Sequence, residues 1–485
     1  MKLLTLEESL NLDLDTANKL FSEHLNRYLL QIYNILGISD MDIMGAEGAK
    51  IWLRDGRRLL DFSAGIGIVG VGHNHPRIIA AERKCHDQKV IDSIKVAPHK
   101  LQGALAYNIS QCLPDPLNVS FFSVSGAEAV EAALKICERA QGPGKTKFIC
   151  MQGSFHGKTH GALSVTTAGR FQSGFMMGIP EENVIKIPYG KIDAVEAAIK
   201  AESDGYKNRI IAVIVEPIRG ESVEVPPVGY LTDIARICRQ NDILSIFDEV
   251  KVGMGRTGKF CAFQHEDVVP DVVTIAKTLG GAKRAIGAMV TSQKLFDRAY
   301  GNKQDSTLHT SGFSGLGESC AVAIETLNLL FEENLLDRAA DRGAYLRDKL
   351  ELLQKKHPKT ILEVRGKGLF QGIRLNFQQS LADKVLDSSN NALFKTYQTV
   401  LIGALFRELY EHHNILVHFQ PGALDVLHFI PPLIIEESQI DALIAALDDI
   451  FTRGLAESTI HFIGKNIKRV LSLPSQTKFV ESQRS

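Results

Sequence analysis

The sequence has one tryptophan, seven cysteines and a net charge of −1 over 485 residues, and each scarcity excludes something. Cys85, Cys112, Cys137, Cys150, Cys238, Cys261 and Cys320 are scattered, with no Cys-x-x-Cys pair. That excludes a disulfide framework and a thiolate zinc cluster, and it fits a reducing cytosol. A nearly neutral balance offers no surface for a polyanion, so no nucleic-acid partner is expected. No apolar run approaches a membrane span. The N-terminus, Met1 to Glu8, turns acidic before an apolar leader could form. A cytoplasmic protein without a membrane partner is therefore expected, and the sequons at Asn108 and Asn118 are idle. His73 and His75 lack a third ligand at metal spacing, so they read as structural and no metal is expected. No internal repeat or low-complexity tract is present. What remains is an ordinary globular composition, 45% hydrophobic and 23% charged, with length for two or three domains.

The informative stretch is Ile243 to Lys277. An apolar run, Ile243 to Phe247, ends on Asp248-Glu249, and a second, Val272 to Ala276, ends on Lys277. Short β-branched runs of this kind read as strands buried on both faces of a parallel sheet. Ligands of open α/β sheets bind beyond the carboxyl ends of the strands. A lysine there is desolvated, which lowers its pKa and frees its amine to attack a carbonyl. A carboxylate nearby can hold a protonated ring nitrogen. These are the two protein groups that pyridoxal phosphate requires. Asp and Lys alone would equally suit an ion pair closing two strand ends, so the surrounding motifs must decide.

Residues up to about 45 have helical spacing. Ala49–Arg54 and Arg57–Phe62 then flank Asp55-Gly56, a two-residue hairpin signal. Gly65-Ile66-Gly67-Ile68-Val69-Gly70 matches G-x-G-x-x-G, but it follows a hairpin and does not open a helix. A nicotinamide dehydrogenase is therefore rejected, and a glycine-rich wall or tight loop is expected, with the next helix starting near Pro76. Asn118–Phe122 reads as a strand leading to Ser125-Gly126-Ala127-Glu128, which has capping-box spacing. A helix N-terminus of that kind attracts phosphate. Lys147–Met151 is a strand leading to Phe155-His156-Gly157-Lys158, where an aromatic could stack on a flat cofactor. Ile210–Val215 is a strand ending in Glu216-Pro217 with Glu221 beyond. Gly253 to Gly258 is expected to be a flexible connection. From about 325, long amphipathic helices near 333–356 and 393–413 alternate with short strands such as 368–375.

The order of these motifs resembles the class III, pyridoxal-phosphate-dependent aminotransferases of fold type I, from about residue 40 to 470. The matches are Gly65–Pro76, Ser125–Ala129, Phe155–Thr159, Glu216–Glu221, Asp248-Glu249-Val250, Gly255–Gly258, Pro270-Asp271 with Lys277, Arg365–Leu369 and Pro431-Pro432-Leu433. The resemblance implies a mainly parallel central sheet in a large α/β domain (63–325) and a smaller α+β domain (326–471). An N-terminal arm and hairpin (1–62) would join the small domain, and 472–485 would be a tail. It implies Lys277 as the Schiff-base lysine and Asp248 as the pyridinium partner. Ser125, Gly126, Ala127, Phe155, His156, Glu216 and Lys251 would join them around the cofactor. Thr310 and Ser311 would reach the phosphate of a partner subunit in a homodimer with shared active sites. Ile66, Lys158, Glu221 and His428 would face substrate.

Four departures from the family pattern bear on that carry-over. Lys251 stands where the family commonly has Gln, and Gly312 where it often has Thr. Lys158 replaces an Arg of members acting on 4-aminobutyrate. His428 replaces an Arg, typical of glutamate-using members, that grips a carboxylate with a planar fork. The expected reaction is ping-pong transfer of an amino group from an ω-amine, diamine or amino acid to an oxo acid, such as pyruvate, or an aldehyde. The alternatives are a racemase, aminomutase or decarboxylase using the same cofactor, and a non-catalytic relative, which the presence of Lys277, Asp248 and Phe155 opposes.

Overall fold

The computed structural model describes residues 3–204, 207–377 and 392–454, with main chain alone for 392–397. The expected end of the small domain at Leu471 and the tail from 472 lie outside the described residues. Among the described residues, three sheets organise the chain. In chain order the strands are β1 (Ile43–Glu47), β2 (Lys50–Leu53) and β3 (Arg58–Asp61). Then come β4 (Leu117–Ser123), β5 (Lys147–Met151), β6 (Val184–Ile187), β7 (Ile210–Val215), β8 (Leu244–Asp248), β9 (Val272–Ile275) and β10 (Gly287–Ser292). The last are β11 (Ile361–Lys367), β12 (Phe370–Leu375), β13 (Ile415–Leu416), β14 (His418–Gln420) and β15 (Ala423–Phe429).

The seven-stranded sheet has the order β4-β10-β9-β8-β7-β5-β6. Strands β6, β5, β7, β8 and β9 pair in parallel, while β10 runs antiparallel to both β9 and β4. Six strands therefore share one direction and end along one edge. All residues of β7, β8 and β9 are buried. This is the signature of strands covered by helices on both faces, and burying each Val, Ile or Phe contributes about 1.5–3 kcal/mol.

The hairpin β2–β3 forms about Asp55-Gly56, with Gly56 at positive φ, and β3 pairs in parallel with β13 from the far end of the chain. The third sheet, β11-β12-β15-β14, is antiparallel. Long helices at Leu335–Lys356 and Ala392–His413 accompany it. The expected flexible connection at 253–258 is instead a buried turn. The Arg256 guanidinium, 2% exposed, donates to the carbonyls of Leu369 and Pro431 and ties the large sheet's loops to the later strands.

Candidate active site

Because β4, β5, β7, β8 and β9 run together, their following residues converge on one edge. Asp248 ends β8, Lys277 follows β9, Glu216 follows β7 and Ser125 follows β4. They line a cavity of about 730 Å³ with Phe155, Lys158, Glu221 and Lys251. On its other side are Ile66, Phe171, Gln420 and the segment Ala282–Ile286.

Asp248 is 4% exposed and fully engaged. His156 Nδ1 donates to its Oδ2 at 2.7 Å. Thr274 Oγ1 and the Val250 amide donate to its Oδ1 at 2.9 and 3.1 Å. The Thr274 contact follows from strand register, since Asp248 and Thr274 are partners across β8 and β9.

Lys277 has φ +53°, a left-handed conformation that costs a non-glycine residue about 1–3 kcal/mol and recurs at functional sites. Burial pushes its amine down to about 7, and the neighbouring Lys251 ammonium adds to the fall, while Asp248 and Glu216 oppose it. Lys251 is itself pushed down to about 8 by burial, against Glu221 and Glu216. Its Nζ donates to Gly220 O at 2.6 Å and lies 5.3 Å from the Phe370 ring centroid.

Ser125 caps the helix Gly126–Gln141, its Oγ accepting from the Glu128 amide at 3.2 Å. The expected capping box is half formed, because Glu128 Oε2 accepts from the Val124 amide rather than from that of Ser125. First-turn amides such as those of Gly126 and Ala127 have no acceptor within their helix. A Cβ on Gly126 would stand 2.7 Å from Val250 Cγ1, so only glycine lets the backbone come this close.

Glu216 accepts from the amides of Phe155 (3.0 Å) and Gly220 (2.9 Å), and burial pushes its carboxyl upward. Phe155 packs edge-on against Phe171 at 5.3 Å, and Lys158 Nζ lies 4.3 Å from the Phe171 centroid. Burial also raises the Glu221 carboxyl, against Lys251, the Gly422 amide, Lys158 and Lys277.

One residue expected in this cavity stands elsewhere. His428 is fully buried and does not line the cavity; its Nε2 meets the Glu221 backbone carbonyl at 3.1 Å. Burial and Lys251 hold the ring far below its usual pKa, so it stays neutral and is no counter-ion for Glu221. Its strand, β15, pairs inside the third sheet, which turns the side chain into the core. Thr310 and Ser311 also lie outside this cavity, on a loop where Ser311 O accepts from Lys95 Nζ at 2.5 Å. Ile66, at φ +62°, does line it, on a loop fixed by Asp61. The Asp61 carboxylate accepts from the amides of Ser63 and Ala64 and from His73, which accounts for a structural histidine there. Sequence reading missed Phe171, Gln420 and Thr274. Only Thr274 carried a signal, its place opposite Asp248.

The residues suit pyridoxal phosphate on their own geometry. First-turn amides on the cavity wall suit an anion, a desolvated amine suits an aldehyde, and a buried carboxylate suits a ring N–H. Among the described residues His156 Nε2, buried in the same place, has no hydrogen-bond partner. This arrangement belongs to one class of enzyme, those that bind pyridoxal phosphate through a lysine on an α/β scaffold.

Comparison with known proteins narrows the class. Residues 37–451 match Aminotransferase class-III, and the chain belongs to that family. It is a pyridoxal-phosphate-dependent aminotransferase. An ornithine aminotransferase from Toxoplasma gondii, described with partial occupancy of the cofactor at its active site, is 26% identical. That likeness covers 93% of this chain and 97% of the other, with TM-score 0.75. An (S)-enantioselective omega-transaminase from Thermomicrobium roseum is 27% identical over 92% of this chain and 98% of that one, with TM-score 0.78. An acetylornithine aminotransferase from Elizabethkingia anophelis is 26% identical over 87% and 98%, with TM-score 0.67.

Proposed function

We propose that the enzyme takes its amino group from an ω-amine or diamine and passes it to a weakly anionic acceptor such as pyruvate. The observation that carries this reading is that, among the described residues, the cavity has no free guanidinium fork. The arginine that lines it, Arg284, is committed to Glu82 (2.8 Å) and Glu318 (2.6 Å). His428 is buried and neutral, so it offers no grip on a carboxylate. Glu221 is a carboxyl group on the wall, suited to a donor's distal ammonium. The similarity to an omega-transaminase and to ornithine aminotransferase agrees with an amine-accepting site.

When bound, pyridoxal phosphate supplies an aldehyde for covalent capture and a protonated ring that draws off electron density. In this reading Lys277 Nζ would hold the cofactor and move a proton to and from the substrate carbon. The Asp248 carboxylate, oriented by His156 and Thr274, would accept from a ring N–H. Ser125, Gly126 and Ala127 would hold the phosphate at the helix start. Phe155, steadied through its amide by Glu216, would pack on the ring, with Lys158 on the same wall.

The working form in this reading is a homodimer. Ile66 and Ile68 at the cavity, and Leu308 and Phe313 beside Thr310 and Ser311, are large exposed apolar side chains that a partner would cover. Thr310 and Ser311 would then serve the partner's cavity. Among the described residues no helix is long and apolar enough to cross a membrane, and all seven cysteines are unpaired, which suits a reducing cytoplasm. A donor screen with pyruvate and 2-oxoglutarate as alternative acceptors tests the substrate reading. Turnover of ω-amines with pyruvate supports it, and efficient glutamate and 2-oxoglutarate exchange with every ω-amine ignored contradicts it.

A further inference from the structure

Covalent capture needs one amine, yet two half-buried lysines, Lys251 and Lys277, line this cavity. Lys251 leaves the turn after β8, and its side chain passes so close to Gly220 that a Cβ there would stand 2.9 Å from Lys251 Cδ. An ammonium has three donors. Among the described residues Gly220 O is the single hydrogen-bond acceptor of Lys251, and no carboxylate lies within ion-pair distance of its Nζ. A half-buried cation so thinly compensated costs stability.

We propose that Lys251 is a positioning residue for Lys277: a second ammonium in the same cavity that keeps the Lys277 nitrogen unprotonated at neutral pH. The inference rests on Lys277 being the amine that carries the cofactor. Like charges disfavour each other's protonation, and low-dielectric walls carry that influence further than water would. The charged groups acting on Lys277 are Lys251 and Arg256 on one side of the balance and Asp248, Glu216 and Glu221 on the other. Glu221 and Glu216 act on Lys251 and keep it charged near neutrality. His418 and His428, also near Lys251, are held neutral and add no charge.

The test is a pH titration of the near-visible absorption of the holoenzyme, which reports protonation of the Lys277 nitrogen, in wild type, Lys251→Gln, Lys251→Met and Lys251→Arg. The midpoint should move up by about one pH unit in the Gln and Met variants, the order expected when a like charge is removed from the same cavity. It should stay at or below the wild-type value in Lys251→Arg, which keeps a permanent cation. A merely structural lysine would affect loading or melting and leave the midpoint alone. An unmoved or lowered midpoint in whichever of the Gln and Met variants folds would overturn the inference. A wild type lacking any band that Lys277→Ala abolishes would overturn the cofactor assignment beneath it instead.

Discussion

His156 Nδ1 and Asp248 Oδ2 are 2.7 Å apart with both side chains buried, so the carboxylate is oriented before any ligand arrives. A hydrogen bond to a charged group contributes about 1.5–3 kcal/mol. Replacing His156 by Leu should therefore weaken cofactor binding roughly 10- to 100-fold, read by titrating the apoenzyme with pyridoxal phosphate and following the near-visible band. Thr274→Val removes a neutral donor from the same carboxylate and should do less.

Ser125 serves both the fold and the site. Ser125→Ala removes the cap of the helix Gly126–Gln141 and should cost about 0.5–2 kcal/mol in chemical denaturation. Because the same change loosens the anion position, affinity for free phosphate as a competitor of cofactor binding should fall as well. Loss of stability with phosphate competition intact would separate the cap from the proposed phosphate role.

The close approach at Gly126 gives a compensated pair. Gly126→Ala sets a methyl 2.7 Å from Val250 Cγ1, an overpacking that costs about 1–3 kcal/mol and narrows the cavity. Val250→Ala in the same chain should restore most of the melting temperature and of the cofactor affinity. Failure of the double variant to recover either would mean that Val250 is not what confines the helix start.

Glu249, beside Asp248, points away from the cavity, and its Oε1 accepts from the Phe263 amide at 2.8 Å. Burial pushes its carboxyl up from 4.5 to about 8, so the native state keeps a proton that the unfolded chain has lost. Between those two values the folded state binds more protons, and stability falls as pH rises. Glu249→Gln copies the protonated form and should flatten that decline. Its melting temperature near pH 8 should exceed the wild type's, by roughly 1 °C for each kcal/mol because unfolding entropy scales with chain length. Equal pH slopes in the two proteins would contradict a buried, protonated Glu249.

Much of the site could be read from residue order, for a physical reason. Strands buried on both faces are apolar throughout, so the polar residues that end them stand out: Asp248 after Phe247, Lys277 after Ala276, Glu216 after Val215. The turn at Asp55-Gly56 and the cap at Ser125 depend on local chemistry and were legible for the same reason. Side-chain direction in the third sheet was not. His428 occupies a position that only the pairing of β15 with β12 and β14 turns inward. Arg256 looked like part of a glycine-rich loop, because its acceptors, Leu369 O and Pro431 O, lie more than a hundred residues away. Phe171 reached the cavity through a long connection without any pattern of its own. Lys251 was visible as a departure from the family, but its standing as a second half-buried amine needed the walls of the cavity.

Which nitrogen carries the cofactor can be read by reducing the holoenzyme with borohydride and sequencing its peptides by mass spectrometry. The cofactor's mass should be fixed on Lys277 and vanish in Lys277→Ala, with Lys158, Lys251 and Lys283 unlabelled in both proteins. Label on Lys251, or on any lysine in place of Lys277, would contradict the arrangement in which the amine after β9 faces the carboxylate that ends β8.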